Sequence, residues 1–195
     1  MRICALNVGV RVGTMGHLEK KLESKTVFEG YIFSVDRDRV LLENGAETER
    51  DVVRHGGAVC VVPLTEEGEV YLIHQFRYAV GEELWELPAG RLEQGEVPLE
   101  TARRELEEEC GLSAASYINL HPFYPSVGYC GEVIYMWAAK NMRSVPKHLD
   151  DEEFLTTVKL PLEDAVSMVL RGEIRDGKTI AGLLKAKLLR DTGQL

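Results

Sequence analysis

Gly90-Arg-Leu-Glu-Gln-Gly-Glu-Val-Pro-Leu-Glu-Thr-Ala-Arg-Arg-Glu-Leu-Glu-Glu-Glu-Cys-Gly-Leu112 is the stretch around which this chain is organised. Pro98 suits the first turn of a helix, where its missing N–H costs little. Gly111 suits the position just past the helix end. At about 100° per residue, Leu99, Ala102, Leu106 and Cys110 form one stripe, the predicted buried face. Glu105, Glu108 and Glu109 share a neighbouring arc, at spacings that make helical side chains neighbours. Three carboxylates there repel one another, and the macrodipole disfavours negative charge near a helix C-terminus. A divalent cation removes both penalties, and clustered carboxylate oxygens suit a hard ion such as Mg2+. The competing reading is a solvated acidic face, the common meaning of a charge run.

Length, charge and cysteine content narrow the rest. At 195 residues the chain fits one domain, with room for a small appendage and a sizeable core. A net charge of −9 argues against a nucleic-acid backbone as partner, which needs a basic patch. It leaves room for a small anionic substrate beside a local cation. Cys4, Cys60, Cys110 and Cys130 show no zinc-ligand spacing and read as reduced thiols of a cytoplasmic protein. No apolar run reaches the length of a membrane span.

The spacing of the acidic stretch resembles the Nudix box. Gly90, Glu96, Arg104, Glu105, Leu106, Glu108, Glu109, Gly111 and Leu112 occupy every specified position. With each residue type at about one in fifteen, seven fixed letters coincide on the order of once in 10⁸ windows, so an accidental acidic helix is a poor explanation. The resemblance implies that Glu105, Glu108, Glu109 and the Ala89 carbonyl hold Mg2+, with Mn2+ as a substitute. It makes Gly90, Glu96, Arg104 and Gly111 structural. A cation among so many acids would compete with the metal, so Arg104 is expected to pair with Glu96 and brace the loop against the helix. Glu93, Glu100 and Glu107 fit the metal spacing less well and are expected to be solvated.

Upstream, Met1 to Gly16 has the faint outline of a signal peptide, but Asn7 and Arg11 interrupt the apolar run and no clear cleavage site follows. It is expected to be an extension, poorly ordered unless it docks, with Met15 an alternative start. From Lys25 to His55 the pattern is β: a predicted strand over Val27 to Val35, a second over Arg39 to Glu43 ended by the turn signal Asn44-Gly45, and a third starting at Glu49. Phe28-Glu29-Gly30, Asn44-Gly45 and Arg54-His55-Gly56-Gly57-Ala58-Val59 resemble the N-terminal region of the ADP-ribose pyrophosphatase branch. That resemblance implies a β unit that packs against the partner subunit of a homodimer and helps to enclose the nucleobase. Phe28, Tyr31 and Phe33 are candidates to stack it; each reads equally as a strand aromatic in a core.

Further strands are predicted at Ala58 to Pro63 and Val70 to Phe76, joined by Glu66-Glu67-Gly68, and at Leu84 to Gly90 running into the box. Arg77 ends the second of these, where its planar fork suits phosphate oxygens or a surface ion pair. By resemblance Arg77 contacts the substrate diphosphate and Glu86 lies near the substrate. After the box, strands are predicted at Tyr117 to Phe123, Val133 to Ala139 and Phe154 to Leu160. Between the first two, Ser126-Val127-Gly128 and Glu132 match a loop that in this branch reads Ser-Pro-Gly with a later Glu. Glu132 is thereby a candidate substrate contact, or an exposed strand-end acid. Val127 replaces the proline that marks ADP-ribose preference. The loop Asp150-Asp151-Glu152-Glu153 holds the implied general base, Glu153 by its neighbour Phe154, with Glu152 the competitor; a solvated loop is the plain alternative. With Glu108 these complete the implied catalytic set. Two helices close the chain: Leu162 to Arg171, and Gly177 to Arg190 capped by Asp176, with Ile180, Leu183, Leu184, Lys187 and Leu188 as its stripe.

The expected fold is α/β (α+β), a Nudix α/β/α sandwich with a mixed sheet plus an N-terminal antiparallel β unit. It divides as 1–24 extension, 25–55 dimer-associated β unit and 56–195 hydrolase domain. The expected activity is Mg-dependent hydrolysis of ADP-ribose to AMP and ribose 5-phosphate, or of another nucleoside diphosphate sugar such as a GDP- or UDP-hexose. A non-catalytic ADP-ribose sensor is the alternative of another class. Sensors usually lose box glutamates, and this chain keeps all of them.

Overall fold

The computed structural model describes residues 16–149 and 154–195. Met1 to Met15 and the acidic residues Asp150, Asp151, Glu152 and Glu153 lie outside them. The first sheet joins β1 (Lys20–Glu29), β2 (Phe33–Leu41) and β3 (Glu47–His55) in an antiparallel meander. It corrects two expectations. The β unit begins at Lys20 instead of Lys25, because Lys20 to Ser24 pair with Leu41 to Asp38 although they lack an apolar alternation. The strand expected over Val27 to Val35 is broken at Gly30, whose N–H bonds the Phe33 carbonyl and turns the chain. The Asn44-Gly45 turn forms as expected, with Gly45 at φ 81°.

The body carries β4 (Ala58–Pro63), β5 (Glu69–Arg77), β6 (Glu82–Glu86), β7 (Ala89–Arg91), α1 (Pro98–Cys110), β8 (Leu112–Asn119), β9 (Ile134–Ser144), β10 (Leu155–Pro161), α2 (Leu162–Leu170) and α3 (Gly177–Asp191). Its two sheets have the orders β10-β5-β6 and β7-β4-β9-β8. The second is mixed, since β4 pairs parallel with β9 and antiparallel with β7. Side chains alternate along β4. Val59 and Val61 pack with Ala102 and Leu106 of α1, while Cys60 and Val62 pack with Leu162, Ala165, Leu183 and Ala186 of α2 and α3. Helices thus cover both faces, and β4 is buried because of it. This is the α/β/α sandwich that the sequence predicts. Burying a Leu such as Leu106 contributes about 1.5–3 kcal/mol.

Pro98 opens α1 and Gly111 closes it at φ 63°, as predicted. Two other expectations need correction. Leu84 to Gly90 is two strands, not one: the chain leaves β6 at Leu87-Pro88 and enters β7 in the other sheet. The strand expected over Tyr117 to Phe123 runs from Leu112 to Asn119, and Phe123 makes only an isolated bridge to Ile134. The stripe expected on α3 is also shifted. Thr179, Gly182, Leu183 and Ala186 are its buried residues, and Leu184 and Leu188 are exposed. The small residues let α3 approach the sheet closely; a Cβ on Gly182 would run into Leu87 and Val62. No helix among the described residues is long and apolar enough to cross a membrane.

Candidate active site

Two clusters of acids and cations flank the strand junction Glu86-Leu87-Pro88-Ala89-Gly90. The first belongs to α1. Glu109 accepts the Ala89 N–H at 2.8 Å. Gly90 lies so close to Glu105 that a Cβ there would overlap the carboxylate. Glu105 and Glu109 are 6% and 3% exposed, unusually deep for acids. Glu93, Glu100 and Glu107 are exposed, as expected. Arg104 pairs with Glu96 at 3.2 Å, the bond that the sequence predicts, and also donates to Glu105 at 2.8 Å and Glu108 at 2.9 Å. Burial works against its charge, but Glu96, Glu105 and Glu108 outweigh that and hold the guanidinium above its usual pKa. Glu96 also accepts the Glu93 N–H and the Thr101 hydroxyl, which ties the box loop to the helix. Its carboxyl falls to about 2, chiefly through the Arg104 hydrogen bond.

The second cluster is built from remote elements. Arg77 at the end of β5 forks onto Glu86 of β6, with both bonds at 2.7 Å. Lys178, in the first turn of α3, also donates to Glu86 and reaches Asp176 at 3.0 Å. Asp176 caps α3 as predicted, accepting the Thr179 N–H. The Thr179 hydroxyl accepts the Leu87 N–H at 2.8 Å, so α3 grips the chain just before the box. Glu86 is only 1% exposed, beneath the half-exposed Arg77. Burial opposes its charge, and Arg77 and Lys178 together keep its carboxyl below the usual range.

The remaining candidates lie at the margins. Glu132 stands 3.5 Å from His55 at the end of β3. The Ser126-Val127-Gly128 loop is fastened to the first sheet, since the Val53 N–H bonds the Tyr129 carbonyl and the Gly131 N–H bonds the Val53 carbonyl. Tyr31, 94% exposed at the β1–β2 turn, has the Arg91 guanidinium 5.5 Å from its ring centroid, which brings it beside the start of the box. Phe28 is half exposed against Phe33. Glu152 and Glu153 fall outside the described residues. Sequence reasoning missed Lys178 and Thr179. A cation in the first turn of a helix is disfavoured by the macrodipole, and that misfit was the available signal for Lys178.

Residues 54–183 match the NUDIX domain. The chain belongs to the NUDIX family. Residues 19–53 match the nucleoside diphosphate sugar hydrolase N-terminal domain. The chain is 36% identical over 163 residues to the ADP-ribose pyrophosphatase of Bacillus subtilis (strain 168), covering 83% of this chain and 88% of the relative. It is 33% identical over 185 residues to the GDP-mannose pyrophosphatase of Yersinia enterocolitica, covering 88% and 94%. A crystal structure of an ADP compounds hydrolase shares the fold with a TM-score of 0.78 at 20% identity, covering 91% of this chain and 97% of that one.

NUDIX hydrolases generally need a divalent metal. Among the described residues, no three His, Cys, Asp or Glu side chains are gathered to hold an ion as they stand. Arg104 takes up Glu105 and Glu108, and the Ala89 N–H takes up Glu109. The donor set nevertheless fits such an ion. It is all hard oxygen, two of its acids are deeply buried, and the missing side chain of Gly90 lets the Glu105 carboxylate come against the Ala89-Gly90 backbone. Arg104 supplies the countercharge to Glu105 and Glu108 as they stand.

Proposed function

We propose that this chain is a pyrophosphatase that splits the diphosphate bond of a nucleoside diphosphate derivative, above all ADP-ribose, giving AMP and ribose 5-phosphate. The observation that carries the reading is the pair of buried acids, Glu105 and Glu109, set against Ala89-Gly90 with Glu108 beside them. In this reading Glu105, Glu108, Glu109 and the Ala89 carbonyl hold the divalent cation, Mg2+ with Mn2+ as a substitute. When bound, such an ion neutralises diphosphate charge and lowers the pKa of a water. Arg77 binds the diphosphate oxygens, which a guanidinium fork suits. Glu86 acts beneath it, and Glu132, beside His55, is a further substrate contact. Glu153, or Glu152, takes the proton. Tyr31 and Phe28 offer ring faces for a nucleobase; their exposure supports this.

A second copy of the chain is assigned to the first sheet. Support comes from β1, exposed along its whole length with Leu22, Val27 and Phe28 in the open, and from neighbouring Ile32 and Phe33. The sheet and the body are accordingly two units that meet between residues 55 and 56. Free Cys60, Cys110 and Cys130 support a cytoplasmic setting.

The match of residues 19–53 to a nucleoside diphosphate sugar hydrolase domain favours a second reading, a sugar nucleotide such as GDP-mannose as substrate. A panel of ADP-ribose, GDP-mannose and UDP-glucose, each with Mg2+ and with Mn2+, tests both. Preferred release of AMP from ADP-ribose is the expected result. A higher kcat/KM on a sugar nucleotide replaces the first reading by the second, and no turnover on any substrate overturns both.

A further inference from the structure

Glu86 is the most buried charged residue among those described, and three donors converge on it. Arg77 bonds both oxygens, and Lys178 bonds Oε2 as well. The two cations differ. The Arg77 side chain is 41% exposed and the Lys178 side chain 13%. Lys178 is also tied to Asp176, which is fixed in turn by the Thr179 N–H and hydroxyl. Arg77 opens toward solvent, whereas Lys178 is enclosed at a helix end.

A guanidinium that serves a substrate must give up at least part of its protein partner. A buried carboxylate stripped of its only cation is strongly disfavoured, so an exclusive Glu86–Arg77 pair would keep Arg77 where it is. We propose that Lys178 is a positioning residue that stays on Glu86 and so releases the Arg77 guanidinium to the substrate diphosphate. The inference rests on the assignment of Arg77 to the diphosphate. The surroundings support it. Burial disfavours the Lys178 charge, but Asp176 and Glu86 outweigh that and keep it protonated. Glu109 of the first cluster attracts Arg77 too, so its guanidinium already lies within the field of the α1 acids. Lys178 contacts neither the acids of α1 nor Ala89 in the hydrogen bonds it makes; its effect passes through Glu86 to Arg77.

The test compares Lys178→Met, Lys178→Arg, Glu86→Gln and the double variant Glu86→Gln with Lys178→Met. Lys178→Met is expected to raise the KM for the diphosphate substrate about tenfold with kcat within about threefold, and Lys178→Arg to restore most of the KM. In the Glu86→Gln background there is no buried charge to cover. There Lys178→Met should change KM by less than about twofold. An unchanged KM in Lys178→Met, the same rise in the Glu86→Gln background, or an arginine as poor as the methionine overturns the proposal. If Lys178→Met alone does not fold, the Glu86→Gln pair decides. Wild-type protein run on the substrate panel separates the two ideas. Should it turn over nothing, the functional reading fails. Calorimetric titration of the same proteins with inorganic pyrophosphate then reads Arg77 directly. A binding constant about tenfold weaker in Lys178→Met sustains the proposal, and an equal one overturns it.

Discussion

The end of α1 and the beginning of α3 carry opposite errors. The last turns of α1 hold Glu105, Glu108 and Glu109, where a helix prefers cations. The first turn of α3 holds Lys178, where a helix prefers anions, although Asp176 caps it. Both misfits border the same five-residue junction. On α1 the countercharge comes from the same helix, through Arg104 at 2.9 Å from Glu108. On α3 it comes from Asp176, two residues before it, and from Glu86, 92 residues away. A charge of the wrong sign at a helix end points to a partner outside the ordinary helical pattern. Whether that partner is local or remote decides if the sequence can name it.

The sharpest way to break this comparison is at Glu109. Glu109→Gln should lower turnover by about 10³-fold or more with the fold intact, because the amide oxygen still accepts the Ala89 N–H while one anionic ligand is lost. Circular dichroism and steady-state kinetics with saturating Mg2+ check it, and near-normal turnover sinks the assignment of the α1 acids. Across the junction, Arg77→Met should act mainly on KM, raising it about 10–100-fold. An unaltered KM would make the Arg77–Glu86 fork a purely structural pair.

Smaller effects sharpen the contrast. Asp176→Ala removes the cap of α3 and should cost about 1–2 kcal/mol in urea unfolding. A stability equal to wild type would show that Lys178 and Glu86 fix the first turn unaided. Glu96 tests the local cluster by pH. Its carboxyl is lowered in the folded chain from 4.5 to about 2, first by the Arg104 hydrogen bond. The stability this supplies is fully present above pH 4.5 and is lost as pH falls toward about 2. Glu96→Gln should therefore lose less stability over that acid window. A slope identical to wild type in acid melts would remove Glu96 from the brace.

Legibility followed the range of the interactions. Pro98, Gly111 and the buried Ala102 and Leu106 were readable because a helix repeats every few residues. The Arg104–Glu96 pair was readable because it spans only the first turns of α1. The break at Leu87-Pro88 was not, since it depends on the chain changing sheets. The buried stripe of α3 departs from its large apolar residues because Gly182 and Ala186 set how closely the helix can approach. Lys20 to Ser24 were missed as strand because their pairing is fixed by backbone bonds to β2, which leave no apolar period behind.

By itself, the sequence determined the α1 helix with its acids and, through the resemblance that the box carries, the family with its layered α/β/α architecture and diphosphate-cleaving chemistry. The helix and the box rest on spacing along one element, where covalent geometry fixes which side chains are neighbours. Only the tertiary structure decided that Arg77 lies on a buried Glu86, that Lys178 shares that acid, and that Tyr31 comes beside Arg91. Those contacts join residues from separate strands, helices and turns. Their geometry is set by how the sheets and helices pack, which no local period of the chain records.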